Sequence, residues 1–434
     1  MRRAPRNLQV TCDHQGLTHF GGVFFFHEFM RVLQLRHALS RLTYPRRNHQ
    51  YSLSQMILAL LYPIVLGLDR LETASLLRSN GTFQYLIGLP NFPDPQTLRR
   101  FILQAPLSFF EQLRRVNDRL LQYFIHLPAA RSRLIFDFDS TVLTVFGHQE
   151  QASVGYNPHY RGKRSYHPLL CMEANSSYLW GLPLRPGRAI TWDGSLEMLD
   201  HGLGYRTSRV REVRVRADSG FGYEPVLKQL EDRSVQYAVV ARLSRVVKRF
   251  LPGLDYQPLN PRWEAAEFEH RLWGWSRARR FVVLRRLLEP DEPQPTLFLL
   301  GRYLYRAWNT NLALTPAGVW HFYEGRGAIE PRIAELRQDF ALRKIPTHSF
   351  AANAIFFEII RLAYNLVTAF QRLCLPEAWQ NLTLQQLRYK LFLLPGELTR
   401  PQNRPVLRLT DSQYVQNLID TILSNVYKLQ PITG

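Results

Sequence analysis

Cysteine is scarce in this sequence: Cys12, Cys171 and Cys374 are the only three in 434 residues, far apart and odd in number. That excludes a disulfide framework and a zinc knuckle, and a reducing cytoplasm fits. Acidic residues are also few, with 35 Asp and Glu against 55 Lys and Arg, a formal net charge of +20. Solubility needs far less, and the excess suits a polyanionic partner, nucleic acid first. A membrane surface is the competing polyanion, but no amphipathic basic helix stands out and no apolar run reaches transmembrane length. The nearest, Phe350 to Phe370, is interrupted by Glu358 and Arg361 and reads as a buried core helix. Phe24-Phe25-Phe26 follows the basic Arg2 and Arg3 but is too short for a secretory signal. Internal repeats and low-complexity segments are missing as well. What is present is 46% hydrophobic residues, enough for real cores, over a length that suits roughly two or three domains.

Residues 1 to about 130 show helical spacing, as in Met56-Ile57-Leu60-Leu61 and Phe109-Leu113-Val116-Leu120. Asn91 to Phe101 reads as a capped turn opening a helix that carries Arg99 and Arg100. Short helices followed by a basic one suit a helix-turn-helix reader of DNA. A plain helical bundle with a solvated basic face accounts for the same pattern. From Leu134 the pattern turns to strands. Tyr166–Ala174 and Tyr178–Leu184 form a meander after a basic loop with His148, His159, Arg161, Lys163 and Arg164. A helix near 194–203, a strand ending at Ala217-Asp218, a helix over Glu224–Arg233 and a strand over Val235–Arg242 follow, which argues for an α/β core with a mixed sheet. Residues 246–312 favour strands again, clearest at Phe281–Arg286 and Leu297–Leu300. There Trp263, Trp273, Trp275 and Trp308 lie among arginines, as base-stacking platforms or as core. A helix starts at Thr315-Pro316, a long one spans Ser349–Leu375, and a basic, loop-rich tail precedes a last helix near 411–428.

The strand Leu134-Ile-Phe-Asp-Phe-Asp-Ser-Thr-Val-Leu143 organises the rest. With a period of two, Asp137 and Asp139 point to one face and Phe136 and Phe138 to the other. Two like charges in an apolar strand call for a cation or a shared proton, so the pair is a candidate metal site; the alternative is a strand end fraying into solvent. Asp218, closing a later strand before a Ser-Gly turn, is the next acid placed to reach a shared site. Tyr323, Arg326, Glu330 and Arg337, spaced by three, four and seven, fall within one stripe of a helix. One face then carries an acid between two guanidiniums. Pro331 either kinks that helix or begins a new one.

These residues resemble the DDE transposases of bacterial insertion sequences, in the branch with a Tyr-x2-Arg-x3-Glu-x6-Lys signature. Asp139-Ser-Thr resembles the first motif, Arg216-Ala-Asp218-Ser-Gly-Phe the second, and Tyr323/Arg326/Glu330 the third, with Arg337 in place of the signature Lys. Gly155-Tyr-Asn157 and Arg185-Pro-Gly187 extend the similarity. The resemblance implies a ribonuclease H-like mixed-sheet α/β core with a helical N-terminal DNA-binding region and a β-rich insertion. The expected segments are a helical region that binds DNA ends (1–130), the first part of the core (131–245), the insertion (246–312), the helical remainder of the core (313–375) and a basic C-terminal region (376–434). It further implies cut-and-paste excision at the ends of the chain's own element. Asp139, Asp218 and Glu330 would be the catalytic acids and ligands of two Mg²⁺, about 3.5–4 Å apart, with Mn²⁺ as a substitute. Tyr323, Arg326 and Arg337 would contact DNA phosphates. The partners expected are double-stranded terminal repeats and target DNA, with at least a dimer on two ends, no membrane, and a cytoplasmic, nucleoid-associated location.

Two rivals remain. Asp137-x-Asp139-Ser-Thr also resembles the nucleophile motif of haloacid-dehalogenase phosphatases, with Asp137 as nucleophile and Asp139 as general acid. The later Lys and paired acids of that class have no clear counterpart here, and the charge goes unexplained. The other rival is a catalytically inactive relative that binds DNA without cutting, against which stands the presence of all three acids.

Overall fold

The computed structural model describes residues 12, 14, 16–46, 49–127, 131–158, 160–204, 206–289 and 299–432. Arg2, Arg3, His159, Leu297 and Phe298 lie outside them. The chain divides into two units, one of Met1–Val116, Gln338–Pro346 and Leu366–Gly434, the other of Asn117–Arg337 and Thr347–Asn365.

The first unit is helical. Leu53–Leu66 begins with a capping box, Ser52 accepting from the Gln55 amide while the Gln55 side chain returns to Ser52 N–H, and ends on Gly67 at φ +81°. It is buried almost all round, which its uniform apolarity requires. Phe26, Phe29, Phe370 and Phe392 pack together with centroid separations of 5.5 and 5.6 Å between Phe26 or Phe29 and the later rings. Pro95–Gln104 opens as its sequence predicts, with Asp94 capping the Gln96 amide and Pro95 in the first turn. Of its two arginines, Arg99 is tied to Glu72 while Arg100 is exposed. The tail is more ordered than its proline content suggests. Gly396–Thr399 and Val406–Leu409 form a hairpin, and Leu17–Thr18 joins its edge.

The second unit is built on a ten-stranded mixed sheet. In chain order its main strands are β1 (Arg133–Ser140), β2 (Leu169–Glu173), β3 (Leu179–Gly181), β4 (Glu212–Ala217), β5 (Gln236–Val240), β6 (Gln257–Pro258), β7 (Glu264–His270), β8 (Arg279–Leu287) and β9 (Tyr303–Thr310). Across the sheet they run β6-β7-β8-β9-β5-β4-β1-β2-β3, with Leu299–Leu300 paired to β9. β1, β4 and β5 are parallel; on one side β2 is antiparallel to β1 and β3 antiparallel to β2, and on the other β9 returns antiparallel to β5. The crossovers are helices, α1 (Ser195–Leu203) and α2 (Glu224–Asp232), as parallel pairing demands. One segment departs from its strand-like sequence: Arg245–Phe250 is a helix, because the Ser244 hydroxyl accepts from the Val247 amide and sets a helix start that outweighs two valines.

After β9 come α3 (Pro316–Glu324), a 3-10 turn (Gly325–Ala328) and α4 (Ile329–Asp339), then α5 (Phe350–Cys374). Among the described helices α5 alone is long and apolar enough to cross a membrane, yet 83% of its most apolar stretch is buried in the protein. The two charges in its middle, Glu358 and Arg361, are paired. Arg361 reaches Asp118 at 2.6 Å and Glu358 at 3.1 Å, Asn117 donates to Glu358 at 2.7 Å, and His201 meets the other Asp118 oxygen at 2.6 Å. A buried charge survives in a core helix only with such partners.

Candidate active site at the carboxyl ends of two parallel strands

The parallel register of β1 and β4 pairs Asp137 with Arg216 and Phe138 with Ala217. One residue further that pairing stops: Asp218 follows the end of β4, and Asp139, still paired with Leu170 of β2, lies beside it near the carboxyl end of β1. The same register separates the two acids of β1. Asp137 is 2% exposed and held two-pronged by Arg216, Nε to Oδ1 at 2.6 Å and Nη2 to Oδ2 at 2.7 Å. Burial keeps Asp137 from any ligand outside, and the guanidinium already supplies the compensating positive charge. The expectation of Asp137 and Asp139 as one metal pair is therefore corrected, and with it the phosphatase reading, which needs Asp137 free to attack.

Arg216 does a second job that the sequence did not reveal. Its Nη1 donates to the Phe322 carbonyl at 2.9 Å, near the end of α3. Gly325 allows this approach, since a Cβ there would collide with Nη1. The strand that ends in Asp218 is thereby fastened to the segment carrying Tyr323, Arg326 and Glu330.

That segment is not one helix. The 3-10 turn breaks the 100° progression between Arg326 and Glu330, so the single stripe fails. Pro331 is tolerated because it lies in the first turn of α4, where amides have no intrahelical acceptor. Arg326 points inward, Nη2 at 2.9 Å from Asp139 Oδ2 and 3.3 Å from the Phe138 carbonyl. Tyr323 hydrogen-bonds Arg326 and packs on Trp308 at 5.6 Å. Glu330 is exposed, in the first turn of α4. Arg337, half-buried, lines a cleft with Asp218, Ser140 and Thr141.

Burial pushes the Asp139 carboxyl up to about 6; Arg326 pulls it down, and the negative charges of Asp218 and Glu330 raise it further. Asp139 thus feels both other acids as like charges. Burial, tempered by Arg326, also raises the Tyr323 phenol. All three acids offer hard oxygen donors whose repulsion a divalent cation would relieve, so the set fits such an ion in kind. Among the described residues no three His, Cys, Asp or Glu side chains lie close enough together to hold one, and Glu330 contributes only through its field. Arg326 stands in for part of that positive charge.

The four tryptophans sort by exposure. Trp308 is buried in an apolar cluster, Trp275 packs on Phe281 beneath Arg279, and Trp263 lies against Trp320 with Arg286 and Arg306 over its ring. Trp273 is 100% exposed in the turn between β7 and β8, beside Gly274 at φ +81°.

The family described as Transposase DDE domain group 1 matches residues 2–431. No curated protein matches the sequence. Among solved structures the chain is similar to a piggyBac transposase in a synaptic complex with hairpin DNA, at 11% identity and a TM-score of 0.44, over 88% of this chain and 82% of that one. The match runs over nearly the whole length: this protein belongs to the Transposase DDE domain group 1 family and is a DNA transposase.

Proposed function

We propose that Asp139, Asp218 and Glu330 are the catalytic acids and metal ligands of this transposase, acting on the ends of its own insertion sequence by cut-and-paste. The observation that carries the reading is the parallel register whose last pair, Phe138 and Ala217, directly precedes Asp139 and Asp218, with Arg326 and the field of Glu330 on Asp139. The strand order β3-β2-β1-β4-β5, three parallel strands flanked by an antiparallel pair, supports a ribonuclease H-like core. Residues 1–130 supply a helical surface for DNA ends, and the strands of 246–312 form the insertion. Two ends handled together call for at least a dimer in the complex.

Two Mg²⁺, or Mn²⁺ in their place, would activate the attacking oxygen and stabilise the leaving one when bound by the three carboxylates. The chain's part is placement. Arg216 fixes β4 against the end of α3, so that Asp218 and the third-motif segment keep their spacing. Arg326 neutralises Asp139 before DNA arrives, and Tyr323 holds Arg326. Arg326 and Arg337, with Tyr323 beside them, would contact phosphates flanking the break. Water attacks the phosphodiester at the element's end and releases a 3′-hydroxyl; that hydroxyl then attacks a target phosphodiester, expelling a second 3′-oxygen.

The test is cleavage of a labelled fragment carrying the element's end, in Mg²⁺ and then in EDTA, for the wild type and for Asp139→Ala, Asp218→Ala and Glu330→Ala. Metal-dependent nicking lost in each variant, with DNA binding retained, is the expected result. Binding without cutting by the wild type would favour the inactive relative. Full activity in Glu330→Ala would remove that residue from the set.

A further inference from the structure

Two Arg-Pro pairs, Arg400-Pro401 and Arg404-Pro405, enclose Gln402-Asn403 at the tip of the hairpin formed by Gly396–Thr399 and Val406–Leu409. No acidic residue lies between Glu397 and Asp411, and Glu397, at the base of the hairpin, is met by His14 at 3.2 Å. The base is fixed. Leu17–Thr18 pairs with Glu397 and Gly396, the Leu398 amide donates to the Gly16 carbonyl at 2.8 Å, and the Gly21 amide donates to the Leu394 carbonyl at 2.9 Å. A Cβ on Gly21 would lie 2.8 Å from that last carbonyl, so the two segments are as close as backbones allow. The tip, by contrast, is open: every residue from Arg400 to Val406 is exposed.

Exposed as it is, the tip is stiff. Pro401 and Pro405 fix their own φ, and the amides of Asn403 and Arg404 donate to the carbonyls of Arg400 and Pro401 at 3.2 and 3.0 Å. Gln402 and Asn403 both take left-handed backbone, at φ +51° and +61°. Glycine would make this turn without a steric cost, whereas glutamine is strained there. Strain of this kind persists where a side chain has a use, and both of these are amides open to solvent. Arg400 is steadied by Tyr85, whose ring centre lies 5.4 Å from its guanidinium carbon. Neither Arg400 nor Arg404 is ion-paired among the described residues.

We infer that this tip enters the minor groove of the duplex at the element's end, with Arg400 and Arg404 lying in the groove and Gln402 and Asn403 bonding to base edges on its floor. Two guanidiniums beside two amides are the side chains that read this groove, and a narrow A·T tract concentrates the negative potential that draws arginine in. The major groove takes a helix or the face of a two-stranded ribbon. Here the strand residues next to the tip are Leu398, Thr399, Val406 and Leu407, so the turn alone can read, and a turn suits a groove about 6 Å wide. The inference rests on the reading that the helical unit binds the element's ends; the hairpin belongs to that unit and adds a base-reading part to it.

The experiment measures binding of the full chain to end DNA in EDTA, with successive blocks of three base pairs written as A·T, as G·C, as hypoxanthine·C or with 7-deazapurines. Hypoxanthine·C presents the minor groove of A·T and the major groove of G·C, while 7-deazapurines alter the major groove only. At one block the wild type should bind G·C about tenfold more weakly than A·T, recover on hypoxanthine·C and ignore 7-deazapurines. In the double variant Arg400→Ala/Arg404→Ala the versions should bind alike, and the slope of log K against log salt should shrink by about two. Gln402→Gly removes the strained backbone, so it should melt no earlier than wild type yet lose the discrimination against G·C. Discrimination and salt slope unchanged in the double variant, or a loss that follows 7-deazapurines instead, would overturn the inference. A wild-type preference for end DNA over a scrambled duplex would then leave the end-binding reading standing, and no such preference would overturn both.

Discussion

Replacing Asp139 by Asn should make the metal-free protein more stable, and increasingly so as pH rises. The Asp139 carboxyl ionises at about 6 in the folded chain against an ordinary 3.8, because burial and the charges of Asp218 and Glu330 outweigh Arg326. Between those two values the folded state holds a proton that the unfolded state has lost, so stability falls with rising pH. The penalty is absent below the unfolded pKa and complete above the folded one, and a shift of this size corresponds to about 3 kcal/mol. Asn carries no charge at any pH and escapes it. Thermal unfolding in EDTA at pH 4, 5, 6 and 7.5 should show the gap between Asp139→Asn and wild type widening, by roughly 6–12 °C for a unit of this size. Mg²⁺ at pH 7.5 should then raise the wild type and leave the variant unchanged, since binding to the native state alone stabilises it. A gap that stays flat from pH 4 to 7.5, or closes, would refute the reasoning and make Arg326 the dominant neighbour of Asp139.

Arg216→Met leaves Asp137 buried and unpaired and should cost about 3–5 kcal/mol in urea unfolding, with Asp137→Asn added to it restoring much of the loss. Gly325→Ala should destabilise by about 1–3 kcal/mol, because its Cβ must displace an Arg216 guanidinium already pinned at two places; a variant as stable as wild type would show that the guanidinium can retreat. Trp273→Ala, fully exposed, should leave the melting temperature unchanged and weaken DNA binding by roughly 5- to 100-fold if the ring stacks on a base, measured by fluorescence anisotropy.

Local pattern made much of the second unit legible. The strand expected over Leu134–Leu143, the helix near 194–203 and the cap at Thr315 each depend on residues within a few positions; the helix and the cap are where the pattern puts them, and the strand is found at Arg133–Ser140, three residues shorter at its end. The hairpin at 396–409 escaped because its third strand is Leu17–Thr18, nearly the whole chain away. The helix at 245–250 escaped for a local reason: Val246 and Val247 favour strands, but the Ser244 cap decides.

The site depends on register, which lies between these cases. Two strands ending in Asp are visible in the sequence, but whether the acids meet is decided by a pairing about eighty residues apart. Placed one residue differently, β4 would bring Arg216 opposite another position, and a one-residue slip turns every side chain to the other face. In the register observed, Asp137 faces a guanidinium and is neutralised, while Asp139 and Asp218 come just past the paired residues, where a metal or phosphate has room. The same argument explains why Gly155-Tyr-Asn157 and Arg185-Pro-Gly187 stood out as motifs without a role. Their shared cleft exists only once two loops and a strand end are packed together.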